Sequence, residues 1–109
     1  MKKLRFAVLG AGAGGQTMAA FLTEKGYPVR LYDHNPTRIQ QLQTLKTIRA
    51  TGKWTCQGTP EQITDSLPQA LDGADIILVV TTTDAHSTIA RQCAPYLRDG
   101  QIILLNPGH

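Results

Sequence analysis

The stretch Leu4-Arg5-Phe6-Ala7-Val8-Leu9 passes directly into Gly10-Ala11-Gly12-Ala13-Gly14-Gly15 and then into a helix-like segment ending at Lys25-Gly26. A strand, a glycine turn and a helix in this order form a cradle for a dinucleotide pyrophosphate. Gly10 permits the tight turn out of the strand, Gly12 lets backbone approach the phosphates without a Cβ, and Gly15 lets the helix pack close to the strand. The anion then faces the N–H groups of Gly10, Gly12, Ala13, Gly14, Gly15 and Gln16 and the positive end of the helix dipole. Glycine spacing alone recurs by chance, so its context matters. A second apolar strand, Val29-Arg30-Leu31-Tyr32, ends on Asp33, about 20 residues beyond the glycines, where an acid accepts hydrogen bonds from the adenosine ribose. A 2′-phosphate would bring a second negative charge against that carboxylate. NAD is therefore the expected cofactor and NADP the second choice, since Arg38, His34 and Asn35 are placed to offset the repulsion.

With 109 residues the chain is one domain, small for a dinucleotide enzyme that must also hold a substrate. A hydrophobic fraction of 41% and a charged fraction of 17% are those of an ordinary globular chain and argue against disorder. The net charge of +3 comes from scattered residues, among them Lys2, Lys3, Arg5, Arg30, Arg49, Arg91 and Arg98. Without a dense basic run, nucleic acid is not an expected partner. Cys56 and Cys93 lack a CxxC spacing and read as two reduced thiols in a cytoplasmic protein. The Met1-Lys2-Lys3 start is not read as a secretory signal, because Arg5 and the glycines interrupt its apolar region, and no stretch is long enough to span a bilayer.

Strand and helix signals alternate along the whole chain, predicting a Rossmann-type α/β domain: a doubly wound parallel sheet in three layers over 1–109, incomplete as a full enzyme. The first helix is expected over 14–25, burying Met18, Phe21 and Leu22, with Gly26 as its C-cap. Asn35-Pro36 reads as an N-cap and first helical residue, followed by Ile39, Leu42 and Leu45 at helical spacing. Ile48-Arg49-Ala50 and Trp54-Thr55-Cys56 flank Gly52-Lys53 as a hairpin. A short helix follows over 66–71. Asp75-Ile76-Ile77-Leu78-Val79-Val80 is a strand buried on both faces, and a helix to about Leu97 carries Ile89, Cys93 and Ala94 inward, with Pro95 able to end it early. Gln101-Ile102-Ile103-Leu104-Leu105 is the last strand, followed by Asn106-Pro107-Gly108-His109.

Taken in order, the glycine loop through Gln16, the Tyr32-Asp33 strand end, Ala74-Asp75-Ile76-Ile77, the helix containing His86, and Arg98-Asp99-Gly100-Gln101 leading to Asn106-Pro107-Gly108 resemble the N-terminal domain of octopine/opine dehydrogenases. Ketopantoate reductases, glycerol-3-phosphate dehydrogenases and 6-phosphogluconate dehydrogenases are similar but match less of the pattern. The opine family often has Asn where this chain has Ala13. The resemblance implies an enzyme that condenses an amino acid with a 2-oxo acid and transfers hydride from a nicotinamide cofactor to the imine. It also implies that the acid/base histidine lies in a separate helical C-terminal domain, or on a partner chain, outside these residues. No catalytic residue is therefore assigned. His86 and His109 are candidates by position, but the first reading of each is the plain one, an exposed helix histidine and a terminal one.

Thr81, Thr82 and Thr83 follow a core strand at its carboxyl end, where open α/β sheets place ligands, and either bind there or cap the next helix. Asn106, Pro107 and Gly108 end the next strand at the same edge and are placed to line the nicotinamide side. A second class stays open: a stand-alone nucleotide-sensing module similar to the regulatory domains of potassium channels, which also pair a GxGxxG turn with an acid after the second strand. Exposed apolar surface on an isolated half-enzyme makes self-association a further expectation.

Overall fold

The computed structural model describes residues 4–50, 55–81 and 83–107. Its elements are β1 (Phe6–Leu9), α1 (Ala13–Glu24), β2 (Val29–Tyr32), α2 (Pro36–Leu45), β3 (Ile48–Ala50), β4 (Cys56–Gly58), β5 (Gln62–Thr64), α3 (Leu67–Leu71), β6 (Ile76–Thr81), α4 (Thr83–Cys93), a 3₁₀ turn (Ala94–Tyr96) and β7 (Ile102–Pro107). Five strands form one parallel sheet in the order β5-β2-β1-β6-β7. The chain winds outward from β1 to β5, then crosses back to β6 and β7. The β1–β6 boundary is thus the point where winding reverses, and in open α/β sheets the crevice there is the ligand site.

Side chains alternate between two cores, as a sheet covered on both faces requires. Ala7, Leu9, Ile77 and Val79 pack with Leu67, Ala70 and Leu71 of α3 and with Ile89 and Cys93 of α4. On the other face Val8, Val29 and Leu31 pack with Ala19, Ala20 and Leu22 of α1, and the hairpin residues Ile48, Ala50 and Cys56 join the same cluster. Both cysteines are free and buried, on opposite faces of the sheet.

The expected termini of the first two helices are present. Gly26 takes φ 94° just past α1 while the Tyr27 N–H donates to the Leu22 carbonyl at 3.0 Å, closing the helix end. Asn35 caps α2 by accepting from the Thr37 and Arg38 N–H groups at 3.0 and 3.2 Å, with Pro36 in the first turn. The buried stripe of α1 differs from expectation. Phe21 is 47% exposed, and Ala19 and Ala20 take the interior, because α1 is squeezed between the sheet and the β3–β4 hairpin and only small residues allow that approach. A Cβ on Gly58 of β4 would collide with the Thr23 side chain, which shows how close the hairpin lies.

Other differences have local causes. Leu45 is exposed, because α2 ends there and Lys46 turns away with φ 64°. The hairpin forms with Ala50 opposite Cys56, but β4 begins at Cys56, and Trp54 lies outside the described residues. β5 was not expected; its single apolar residue, Ile63, gives no period-2 signal. α4 stops at Cys93 and leaves Ala94 exposed, since Pro95 cannot donate the next helical hydrogen bond. β7 runs on past Leu105, where the last strand was expected to end, through Asn106 and Pro107, in register with Val80 and Thr81.

The two sheet edges are treated differently. At β5 the Gln43 side-chain amide donates to the Ile63 carbonyl at 2.6 Å and shields the edge. On β7, Ile102 and Leu104 are about half exposed. At the amino ends of the strands Glu61 accepts from Arg5 and Arg30 at 2.9 and 3.3 Å, and Arg30 also reaches the Gln69 and Asp72 carbonyls. Those two cations are therefore committed to the end of the sheet opposite the glycine turn.

Candidate nucleotide-binding site

At the carboxyl end of β1 the chain turns through Gly10 at φ 115°, a conformation that disfavours any Cβ, and the Gly10 N–H donates to the Tyr32 carbonyl at 2.7 Å. Gly12 is the N-cap of α1, with φ −76° and no side chain to cap the helix. A Cβ built there meets nothing within 4 Å. Gly15 is the opposite case: a Cβ there would strike the Gly10 carbonyl oxygen, so helix and turn are in backbone contact. Gly14 faces Val80, whose Cγ1 would lie 3.2 Å from a Cβ, so β6 forms the second wall of the turn.

The expectation that six backbone N–H groups meet the anion is corrected at two positions. Gly10 N–H is spent on Tyr32, and Gln16 N–H donates to the Gly12 carbonyl at 2.9 Å as the first bond of the helix. The Gln16 side chain turns back as well, donating to the Ala11 carbonyl at 2.8 Å. These bonds brace the turn instead of reaching out of it. The N–H groups of Ala13, Gly14 and Gly15 precede that first helical bond and are the first-turn donors that every α-helix leaves without an intrahelical acceptor. With open space over Gly12, they fit a pyrophosphate.

Asp33 follows β2 and is only 4% exposed. Its N–H donates to the Thr64 carbonyl at 3.3 Å, fixing it to β5. One carboxylate oxygen accepts from the His34 N–H at 3.0 Å, and the other accepts from Arg38 Nη1 at 2.9 Å. The His34 ring nitrogen Nδ1 lies 3.3 Å from the first oxygen. Burial, and behind it the Asp33 charge, raises the pKa of the neighbouring Tyr32 phenol.

Thr81 ends β6 and Thr83 begins α4, while Asn106 and Pro107 lie opposite Val80 and Thr81 across the β6–β7 ladder. The fold therefore gathers the glycine turn, Asp33, Thr81, Thr83, Asn106 and Pro107 at one edge of the sheet. His86 falls within α4. Thr82, Gly108 and His109 lie outside the described residues. Sequence reasoning missed Val80 as a wall of the turn and Thr64 as the anchor of Asp33; neither carries a local signal, since both act through strand order. A cavity of about 570 Å³ between α3 and the 3₁₀ turn, lined by Pro68, Asp72, Tyr96 and Arg98 among others, includes no residue of the glycine turn and not Asp33. Among the described residues no helix is long and apolar enough to cross a membrane, and no cluster of His, Cys, Asp and Glu could hold a metal.

A parallel sheet that reverses its winding beside a glycine turn, with an acid closing the second strand, defines a Rossmann-type domain for a nicotinamide dinucleotide. The chain belongs to the NAD-dependent glycerol-3-phosphate dehydrogenase N-terminal family, whose model matches residues 5–106, and NAD is that family's cofactor. It is 40% identical over 105 residues to an opine dehydrogenase from Arthrobacter sp. (strain 1C), spanning 94% of this chain and 29% of that protein. It is 37% identical over 95 residues to a glycerol-3-phosphate dehydrogenase [NAD(P)+] from Lacticaseibacillus casei, spanning 86% of this chain and 27% of that protein. The fold is shared with glycerol-3-phosphate dehydrogenase from Coxiella burnetii (TM-score 0.81, 24% identity, 96% of this chain and 32% of that one). It is also shared with octopine dehydrogenase solved with NADH and L-arginine (TM-score 0.81, 21% identity, 94% and 28%). The chain thus spans less than a third of the length of each of these proteins.

Proposed function

We propose that this chain is the cofactor-binding part of an opine dehydrogenase-like oxidoreductase, in which hydride passes from the nicotinamide to the imine of an amino acid and a 2-oxo acid. The observation that carries the reading is the pair of opposite glycine environments: Gly15 locked against the Gly10 backbone and Gly12 open for 4 Å around its missing Cβ. That combination holds a helix start against a strand while leaving the space over the N-cap free for an anion. The pyrophosphate is assigned to the backbone of Gly12, Ala13, Gly14 and Gly15, with Gly10 and Gln16 shaping the turn. Asp33 receives the adenosine ribose, Thr81, Thr82 and Thr83 meet the ligand at the carboxyl end of β6 or cap α4, and Asn106, Pro107 and Gly108 border the nicotinamide side.

The 40% identity to an opine dehydrogenase supports imine chemistry over reduction of a phosphorylated ketone, although the family model is that of glycerol-3-phosphate dehydrogenase. The acid/base group and substrate pocket are assigned to a further domain or partner chain, so these residues alone bind dinucleotide without turnover in the cytoplasm. Calorimetric titration with NADH tests binding directly. Reading the gene past the codon for His109 tests the assignment to an enzyme: a helical domain supports it, whereas a stop codon or a channel subunit favours a nucleotide sensor.

A further inference from the structure

One quadrant of the sheet is bare. Paired residues of a parallel ladder share a face, so the register of Val8 with Leu78 and of Leu78 with Leu104 puts these residues, and Ile102 two positions before, on the face of α1. Over β1 and β2 that face is closed, with Val8, Val29 and Leu31 fully buried. Over β6 and β7 it is not. Leu78 and Val80 are only partly buried although β6 is an interior strand, and Ile102 and Leu104 are 53% and 50% exposed. The opposite face of β6 is complete, since Ile77 and Val79 are fully buried among residues of α3 and α4. The gap also has a side wall. Gly14 of α1 faces Val80, and Met18 and Phe21, four and seven residues on, continue that helix stripe. Phe21 is exposed, with the Lys25 ammonium 5.5 Å from the centre of its ring.

We infer that this quadrant is the seat of an apolar helix from the polypeptide that follows these residues, and so the surface on which the further domain docks. The inference rests on the further domain proposed above and adds where it binds. Handedness rules out the crossover helices of the sheet as the cover. Right-handed connections that run from β1 outward to β5 lie on the α1 face, and those that run back to β6 and β7 lie on the face of α3 and α4. Another parallel strand beyond β7 would bring its helix to the α4 face again and leave the gap open. The cover therefore comes from outside the winding. Chain for it is at hand: the family model is that of an N-terminal region, and the matched part is 29% of the opine dehydrogenase relative. A helix suits the place, because an added strand pairs only the β7 edge. A helix stacked about 10 Å above the sheet covers Leu78 and Leu104 and lies beside Met18 and Phe21. A second copy is the poorer occupant, since its α1 is enclosed by its own sheet and hairpin and offers only the same flank. The seat runs up to Val80, the wall of the glycine turn, so the helix that fills it brings the further domain to the nucleotide.

The test is a thiol footprint at position 104. Leu104→Cys is made in the 109-residue chain and in the whole product of its reading frame, with far-UV circular dichroism to confirm folding. The rate of modification by N-ethylmaleimide at that position is read by peptide mass mapping; the native Cys56 and Cys93 are buried and fall in other tryptic peptides. Labelling in the whole product should be at least about thirtyfold slower than in the 109-residue chain, at every protein concentration, because the position then reacts only when the helix lifts off. Ile102→Cys serves as the second variant and should behave alike. A smaller ratio at both positions overturns the inference, as does a reading frame that closes at His109. Protection that fades on dilution assigns the face to a second copy and also overturns it. Titration of the same samples with NADH keeps the two readings apart: NADH binding with an open position 104 leaves the dinucleotide reading intact and removes the docking surface, whereas a covered position 104 without NADH binding does the reverse.

Discussion

Gly12 and Gly15 are three residues apart in one turn, yet substituting them should give opposite phenotypes. A Cβ on Gly15 would overlap the Gly10 carbonyl oxygen and lie 2.7 Å from its carbon, and both are backbone atoms that cannot rotate aside. Alanine gains about 1 kcal/mol over glycine in helix propensity. Overpacking against backbone costs about 3 kcal/mol, the upper part of the usual range. Gly15→Ala should therefore be less stable by roughly 2 kcal/mol, a fall in melting temperature of roughly 8–16 °C for a domain of this size. At Gly12, valine meets no atom within 4 Å of its Cβ and the φ of −76° suits it. The poorer cap costs about 1 kcal/mol, and the stiffer unfolded chain returns about 0.4–1 kcal/mol, so Gly12→Val should melt near the wild type. Its side chain, however, fills the space assigned to the pyrophosphate. Loss of one or more charge-assisted bonds predicts NADH affinity weaker by roughly 10- to 100-fold. Thermal unfolding followed by circular dichroism and titration calorimetry of both variants decide the matter. Undiminished NADH affinity in Gly12→Val, or a wild-type melting temperature in Gly15→Ala, refutes the division of labour.

Removing the ribose acceptor with Asp33→Ser should narrow the gap between NADH and NADPH affinities; a ratio indifferent to the change would mean that the carboxylate serves only to hold Arg38 and the start of α2. Incubation of the purified chain with NADH and amino acid and 2-oxo acid pairs should show no oxidation at 340 nm, and sustained turnover would place acid/base chemistry within these residues. Burial pushes the Cys93 thiol up from its ordinary value and leaves the residue 1% exposed. A thiol reagent should therefore label Cys93 of the folded chain only as fast as the chain unfolds, whereas labelling on mixing would contradict the packing of α4.

Elements that announce themselves over a few consecutive residues were legible in the sequence. The glycine turn, the Asn35-Pro36 helix start, the Gly26 stop and the long apolar strand at Ile76 all carry their cause within a few positions. Asp33 was legible too, because its distance from the glycines is set by the length of one helix and one strand. What could not be read depends on three-dimensional neighbours. Phe21 fits a buried stripe by spacing, and is exposed only because the hairpin returns over α1. The Gly10 and Gln16 N–H groups look available in a linear motif and are consumed by Tyr32 and Gly12 once β2 is alongside. β5 is recruited by its parallel pairing with β2, since its own three residues specify little.

Strand order also dictates when the site is completed. β1 is the middle strand of the sheet, and one of its partners, β6, lies far along the chain; the Arg5 N–H to Asp75 carboxylate bond joins residues 70 positions apart. Closing so large a loop carries an entropic cost that only the finished β1–β6 ladder offsets, which places this step late in folding. A nascent chain synthesised as far as the hairpin holds β1, α1 and β2, yet one edge of β1 is bare and the turn lacks its Val80 wall. Nucleotide affinity should thus arrive abruptly during synthesis, with emergence of β6, although every glycine of the turn was made some 60 residues earlier.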